Sequence, residues 1–267
     1  MHQRSFGTLR LAFKRRGEVT ALDALRQEGC LKARFPRPEP GTWTGAVTLN
    51  SSGGVAGGDA LSTAIQAGSD TRATVASQAA ERFYRALPGT EARVVTSLTV
   101  GPGAALEWLP QETILFDACA VHRTLRVDLA ATSWFLGVES LVFGRTAMGE
   151  AVQSAAINDL IEVSRAGKRL LHDRVRLRGP VADLLGRPAI GAGASGVATL
   201  ILVAQDAEAR LDSVRQALAA CDAGASAWNG MLIARIVASN GACLRAAVEA
   251  GLGVLRDGRP LPRVWLC

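Results

Sequence analysis

The chain has 267 residues, 48% hydrophobic and 20% charged, a balance that supports a sizeable core and argues against disorder. Its formal net charge is +6, but aromatics are only 5% and lysine appears only at Lys14, Lys32 and Lys168 among 30 basic residues, so charge gives no support for nucleic-acid binding. The longest apolar stretch, Trp134 to Phe143, is broken by Gly137 and Glu139 and falls far short of the roughly 20 residues that span a bilayer, so no membrane partner is expected.

The start, MHQRSFGTLRLAFKRRGEVT, is basic and lacks an apolar segment ahead of a small-residue cleavage site, which predicts a cytoplasmic protein. Cys30, Cys119, Cys221, Cys243 and Cys267 are odd in number, widely spaced and without a CxxC pair, as expected of reduced thiols.

Glycine, proline, asparagine and aspartate cut the first two thirds into short strand-like runs. In chain order these are Ala46–Asn50, Ala60–Ala67, Thr71–Gln78, Ala92–Val100, Ala104–Leu109, Thr113–Phe116, His122–Leu129, Trp134–Phe143 and Arg174–Arg178. Three segments ending at Gln78, Gln111 and Glu139 resemble one another at intervals of 33 and then 28 residues. That is either chance similarity among Ala/Gly-rich stretches or a loose repeat whose units stack to share a core.

Composition changes near residue 205. Asp206 stands ahead of Leu211, Val214, Leu218 and Cys221, whose spacing predicts a helix over 207–221 ended by Gly224. After the strand-like MLIARIVAS, a second helix is expected over 242–256, although Gly251 and Gly253 each weaken it by roughly 1 kcal/mol relative to Ala. Residues 186–196 read as a loop. The expectation is one mainly β domain over 1–267: stacked, β-helical or solenoid-like sheets over about 1–205, and a small C-terminal portion with helices over about 206–267.

The densest motif is Ser52-Gly53-Gly54-Val55-Ala56-Gly57-Gly58-Asp59. Phosphate binding needs a following helix, and a P-loop also needs Gly-Lys-Ser/Thr, but a strand-like run follows here and no lysine is near. The alternatives are a sharp β connection with Asp59 as turn former or a site built on Asp59. Ser195 lacks a GxSxG frame, and Cys119 and His122 would point to opposite faces of a strand. An enzyme reading would require a pocket gathering His122 or His172 with a nucleophile.

More informative are carboxylates within apolar runs. Under strand alternation Glu139 shares a face with Phe135, Leu141 and Phe143, and Glu112 and Asp117 bracket an apolar run in the same fashion. Such groups are paired, hydrogen-bonded, protonated or set on a wet cavity, because an isolated buried charge is very costly. Pairing with an arginine and lining a polar channel are the two open readings. Arg174, Arg176 and Arg178 alternate with Val175 and Leu177, which puts three guanidiniums on one face of a strand. That face meets solvent or an acidic protein partner.

With these residues in view, the chain resembles the urease accessory protein family UreD, also called UreH. The similarity runs through NSSGGVAGGD at 50–59, SQAAERFYR at 77–85, LEWLPQETILFDAC at 106–119, GRTAMGE at 144–150 and PRVW at 262–265. The resemblance implies a non-enzymatic factor for maturation of urease, a nickel enzyme. Such a factor is a scaffold that binds the urease apoenzyme and UreF, which recruits the GTPase UreG. It also implies a helical stack of strands with an internal tunnel for nickel, giving Asp59, Glu139, Glu112 and Asp117 a reading as carboxylates on a transient Ni²⁺ path. No stably bound cofactor is expected. An uncharacterised β-rich enzyme is the alternative.

Overall fold

The computed structural model describes residues 4–38, 40–144 and 149–266. Residues 145–148 of the GRTAMGE segment and Cys267 lie outside the described residues.

β1 (Phe6–Arg16) and β2 (Val19–Gly29) form an antiparallel pair, and β3 (Leu31–Arg34) follows. From there glycine-rich turns carry the chain to and fro between two sheets. β4 (Thr44–Asn50), β6 (Arg72–Ser77), β9 (Ala105–Leu109) and β12 (Trp134–Phe143) lie side by side and parallel in one sheet. β5 (Ala60–Ala67), β8 (Ala92–Val100), β11 (Ala120–Leu129) and β13 (Ser154–Arg165) do so in the other, where β1 joins them in parallel. Short strands β7 (Glu81–Phe83) and β10 (Thr113–Leu115) add a third side, β10 pairing with both β7 and β12.

Each parallel neighbour is thus reached by way of the opposite sheet, which is the winding of a solenoid. The repeat is real. Arg72 pairs with Ala105 and Thr113 with Leu141, the same 33- and 28-residue offsets that separate Gln78, Gln111 and Glu139.

Antiparallel strands close the stack. β14 (Lys168–Pro180) pairs with β13 and completes a seven-stranded sheet, order β14-β13-β11-β8-β5-β1-β2. A short helix α1 (Val181–Gly186) leads to β15 (Gly196–Val203), which pairs antiparallel with β12. After α2 (Leu211–Ala217), strands β16 (Asp222–Trp228) and β17 (Met231–Ala238) extend that second sheet, and α3 (Gly241–Leu255) packs on β15 and β17.

The expected helix over 207–221 is shorter. Glu208–Arg210 is a 3-10 turn and α2 ends at Ala217, while Gly224 belongs to β16 rather than ending a helix. Asp206 does not cap it; its carboxylate binds Arg210 instead, at 2.7 Å. The second helix starts where Asn240 Oδ1 accepts from the backbone N–H of Cys243 at 2.8 Å, and it runs as expected.

Two apolar clusters fill the space between the sheets. Phe13, Leu98, Leu106 and Phe135 belong to one, Leu9, Leu61, Phe83, Leu115 and Ile157 to the other. A third, with Leu136, Leu200, Leu202, Leu232, Val248 and Leu252, seals the outer face of the second sheet beneath α2 and α3. Every residue of β12 after Trp134 is therefore buried, the pattern of a strand covered on both faces.

Candidate functional site

Where the two inter-sheet clusters meet, a cavity of about 300 Å³ opens. Leu125 and Trp108 touch it from one cluster and Leu31, Leu61 and Phe83 from the other. Its polar wall comes from Asn50, Glu81, Gln111, Thr113, Arg123 and Glu139.

Glu139 reaches the cavity because strand alternation sends it inward with Phe135, Leu141 and Phe143. Both open readings apply to it. Arg123 Nη1 lies 2.7 Å from Glu139 Oε2, and the indole N–H of Trp108 donates to Oε1 at 2.8 Å. Arg123 occupies an inward position of β11 between buried Val121 and Leu125. On β13 its register partner Asp159 lies between buried Ile157 and Ile161. Arg123 grips Asp159 with two bonds, Nε to Oδ1 at 2.8 Å and Nη2 to Oδ2 at 2.6 Å, and donates from Nη1 to Thr113 Oγ1 at 3.0 Å.

One guanidinium thus serves two carboxylates, and Asp159 holds the better geometry. Burial pushes the Glu139 carboxyl above its ordinary value; Arg123 and Trp108 oppose that push, while the neighbouring Asp159 adds to it. Burial acts the other way on Arg123, but Asp159 and Glu139 outweigh it and hold the guanidinium firmly protonated.

Glu81, which the site expectations did not include, stands at the start of β7 on the same cavity. It accepts from Asn50 Nδ2 at 3.2 Å and from the backbone N–H of Arg82 at 3.2 Å, and it forms no ion pair among the described residues. Burial raises its carboxyl above the usual range.

The other expected site residues lie apart from the cavity lining. Asp59 is a turn former: Oδ1 accepts from the backbone N–H of Ser5 and Oδ2 from that of Ala56, each at 2.8 Å. The glycines before it are needed for the turn, since Gly54 has φ +143° and a Cβ there would lie 2.9 Å from the Arg82 carbonyl oxygen. The turn in turn places Asn50 and Gly53 on the cavity.

Asp117 Oδ1 accepts from the backbone N–H groups of Gln153 and Ser154 at 2.9 and 3.1 Å, and Oδ2 faces Arg85 at 3.1 Å. Glu112 lies 3.7 Å from Arg245, and its backbone carbonyl accepts from the N–H of Glu81 at 2.9 Å. Among the described residues no three His, Cys, Asp or Glu side chains converge on one point as a metal site. Neither His122 nor His172 lines the cavity; His172 is on β14, 3.0 Å from Glu162.

A second polar centre also escaped the sequence analysis. Glu107 on β9, fully buried, binds Arg256 and Arg259 beyond α3 and accepts from Thr74 Oγ1 at 2.6 Å. Burial alone would raise its carboxyl, but Arg256, Thr74 and Arg259 outweigh it and hold the group below its ordinary value. The C-terminal segment is fastened nearby. Trp265 Nε1 donates to the Leu109 carbonyl at 3.0 Å, and Gln111 Nε2 on the cavity donates to that of Val264 at 2.7 Å.

Fold and cavity together define a solenoid-like β scaffold with a polar, carboxylate-bearing interior. The family model described as UreD urease accessory protein matches residues 5–266. Curated proteins called Urease accessory protein UreD are similar over almost the whole chain. That of Xanthobacter autotrophicus is 44% identical, covering 99% of this chain and 91% of its own length. That of Azorhizobium caulinodans is 42% identical with 98% and 97% covered, and that of Dinoroseobacter shibae 45% identical with 98% and 92%. The chain belongs to the UreD urease accessory protein family. Three family-like segments converge on the cavity, at Asn50 and Gly53, at residues 77–83, and at Trp108, Pro110, Gln111 and Thr113.

Proposed function

We propose that the chain is a cytoplasmic, non-enzymatic urease maturation factor that docks on urease apoenzyme, binds UreF and through it UreG, and passes Ni²⁺ through the cavity between its sheets. Membership of the UreD family supports the role in urease maturation. The observation that carries the nickel path is Glu81, a cavity carboxylate with no ion pair among the described residues, on the same cavity as a Glu139 that only half shares Arg123. Such a pair leaves negative charge for a divalent cation. Carboxylate oxygens hold Ni²⁺ less tightly than thiolates or several imidazoles, so an ion that enters also leaves. A proton leaves the raised Glu81 carboxyl as the cation arrives.

In this reading Glu81 and Glu139 meet the ion. Asp59, Glu112 and Asp117 keep a part in the path by fixing the turns that frame it. Glu112 anchors the backbone of Glu81 and Asp59 holds the turn bearing Asn50.

The test is co-expression with the urease subunits, UreF and UreG, followed by metal analysis of purified urease. Glu81→Gln and Glu139→Gln combined in one chain should assemble with the partners yet leave urease nickel-poor. Full nickel content with the double substitution would remove the cavity from the path.

A further inference from the structure

α2 and α3 cover the β12, β15, β17 and β16 end of the second, ten-stranded sheet, whereas no helix lies on the outer face of the seven-stranded sheet's central strands among the described residues. Register lays out its side chains in rows. One row runs Arg176, Asn158, His122, Arg93, Ala60, Phe6, and the next runs Arg174, Leu160, Thr124, Val95, Ser62, Thr8. Arg10 and Arg126 share a third, and Arg178 stands beyond the first. Arg126 pairs with Glu162. Arg10, Arg93, Arg174, Arg176 and Arg178 are exposed and form no ion pair among the described residues.

We propose that this face docks an acidic protein surface, with Arg93, Arg174, Arg176 and Arg178 supplying the charge. The inference rests on the urease-maturation reading, which makes the occupant one of that pathway's proteins. Seven strands span about 29 Å and a ten-residue strand about 33 Å, an area that exceeds the roughly 800 Å² each partner buries in a standard interface. Exposed Phe6 at the end of the first row and half-buried Val95 in the second give the face its apolar contacts. Arginines on either side supply planar donors for carboxylates.

A nucleic acid fits less well. Exposed Asp128 and Glu91, together with Glu162, lie among the arginines and would repel a continuous phosphate backbone. The aromatic rings of the first row, His122 and Phe6, stand three strands apart and form no series on which successive bases stack.

The test uses the full chain with Arg174, Arg176 and Arg178 all changed to Glu, and a second variant with the same three changed to Gln. Binding to purified apo-urease, UreF and UreG, each in turn, is measured between about 0.05 and 0.3 M salt, with circular dichroism to check the fold. The expected result is that the wild-type chain binds at least one of them and that the Glu variant binds it about tenfold or more weakly. The Gln variant falls between, and salt weakens the wild type most. Unchanged binding by both variants overturns the docking face while leaving the maturation role intact. A wild-type chain that binds none of the three overturns the maturation role, and this inference falls with it. Tighter wild-type binding to a DNA duplex of about 20 base pairs than to any of the proteins, lost in the Glu variant, overturns the choice of a protein occupant.

Discussion

Glu107 and Arg256 form a doubly bonded ion pair across 149 residues of chain, Nε to Oε1 at 2.9 Å and Nη2 to Oε2 at 3.0 Å, with side chains 0% and 3% exposed. Arg256 also donates to the carbonyls of Arg259 and Pro260, so one guanidinium fixes the end of α3, the segment after it and the middle of β9. Arg259 lies 4.3 Å above the ring of Trp43 and completes the junction.

Arg256→Met leaves Glu107 with Arg259 and Thr74, so it should cost about 3 kcal/mol in urea denaturation, the low end for a broken buried pair, whereas Arg256→Met combined with Glu107→Gln removes the buried charge and should cost less than the single change. The pH dependence follows from the depressed Glu107 carboxyl. A group whose folded value lies below its unfolded one stabilises fully above about pH 4.3 and loses that contribution as pH falls through the folded value. The stability difference between wild type and Arg256→Met should be full near neutrality and shrink below about pH 4. A difference constant down to strong acid would contradict the assignment.

Asp159 alters what a substitution at Glu139 means. Considered alone, Glu139→Gln removes the partner of a buried arginine, a change worth about 3–5 kcal/mol. Because Asp159 keeps two bonds to Arg123 and a glutamine still accepts from Trp108, the cost should instead be about 1 kcal/mol. Asp159→Asn breaks the stronger half of the arrangement and should cost about 3 kcal/mol. Denaturation midpoints of the two variants check this order; the reverse order would place the main anchor of Arg123 at Glu139.

The two glycines expected to weaken the second helix differ in their surroundings. A Cβ at Gly251 would lie 2.5 Å from Leu200 Cδ1, while at Gly253 nothing stands within 4 Å. Gly251 is there for close packing of α3 on β15. Gly251→Ala should destabilise by about 1–3 kcal/mol through overpacking, and Gly253→Ala should stabilise by about 0.5–1 kcal/mol. Thermal unfolding of the pair separates them by sign.

The winding was legible in the sequence because glycine turns and short alternating runs recur at the stacking interval. Some strands were not. No residue of β2 is buried, so it shows no apolar alternation, and only pairing with β1 makes it a strand. The helix expected over 207–221 rested on Leu211, Val214, Leu218 and Cys221; after Ala217 the chain tightens, Leu218 bonding back to Val214 and Cys221 to Leu218, and leaves as β16.

In the site, Glu139 stood out as a charge on the apolar phase of a strand. The same rule applied to Val121, Arg123, Leu125 and to Ile157, Asp159, Ile161 would have found its partners. Glu107 follows no such rule, because β9 is buried on both faces and alternation carries no information there. Glu81 owes its half-buried place to a three-residue strand and the neighbouring loop, which no periodicity marks.

A substitution at Glu81 separates a structural carboxylate from one that meets the proposed passing cation. A structural acid gives its fold a charge-assisted bond, and neutralising it lowers stability. Glu81 has two neutral donors at 3.2 Å and no ion pair among the described residues, and burial holds its carboxyl above the ordinary range. Its sign is opposite to that of Glu107. A raised carboxyl costs folding free energy once pH exceeds its unfolded value, and that cost grows until pH passes the folded value. Glu81→Gln keeps the shape and a hydrogen-bonding oxygen while removing the charge, so at neutral pH its melting temperature should equal or exceed that of the wild type. The same variant should bind the maturation partners normally and yield urease with less nickel. A lowered melting temperature with full nickel content would show that Glu81 serves the fold and not the ion.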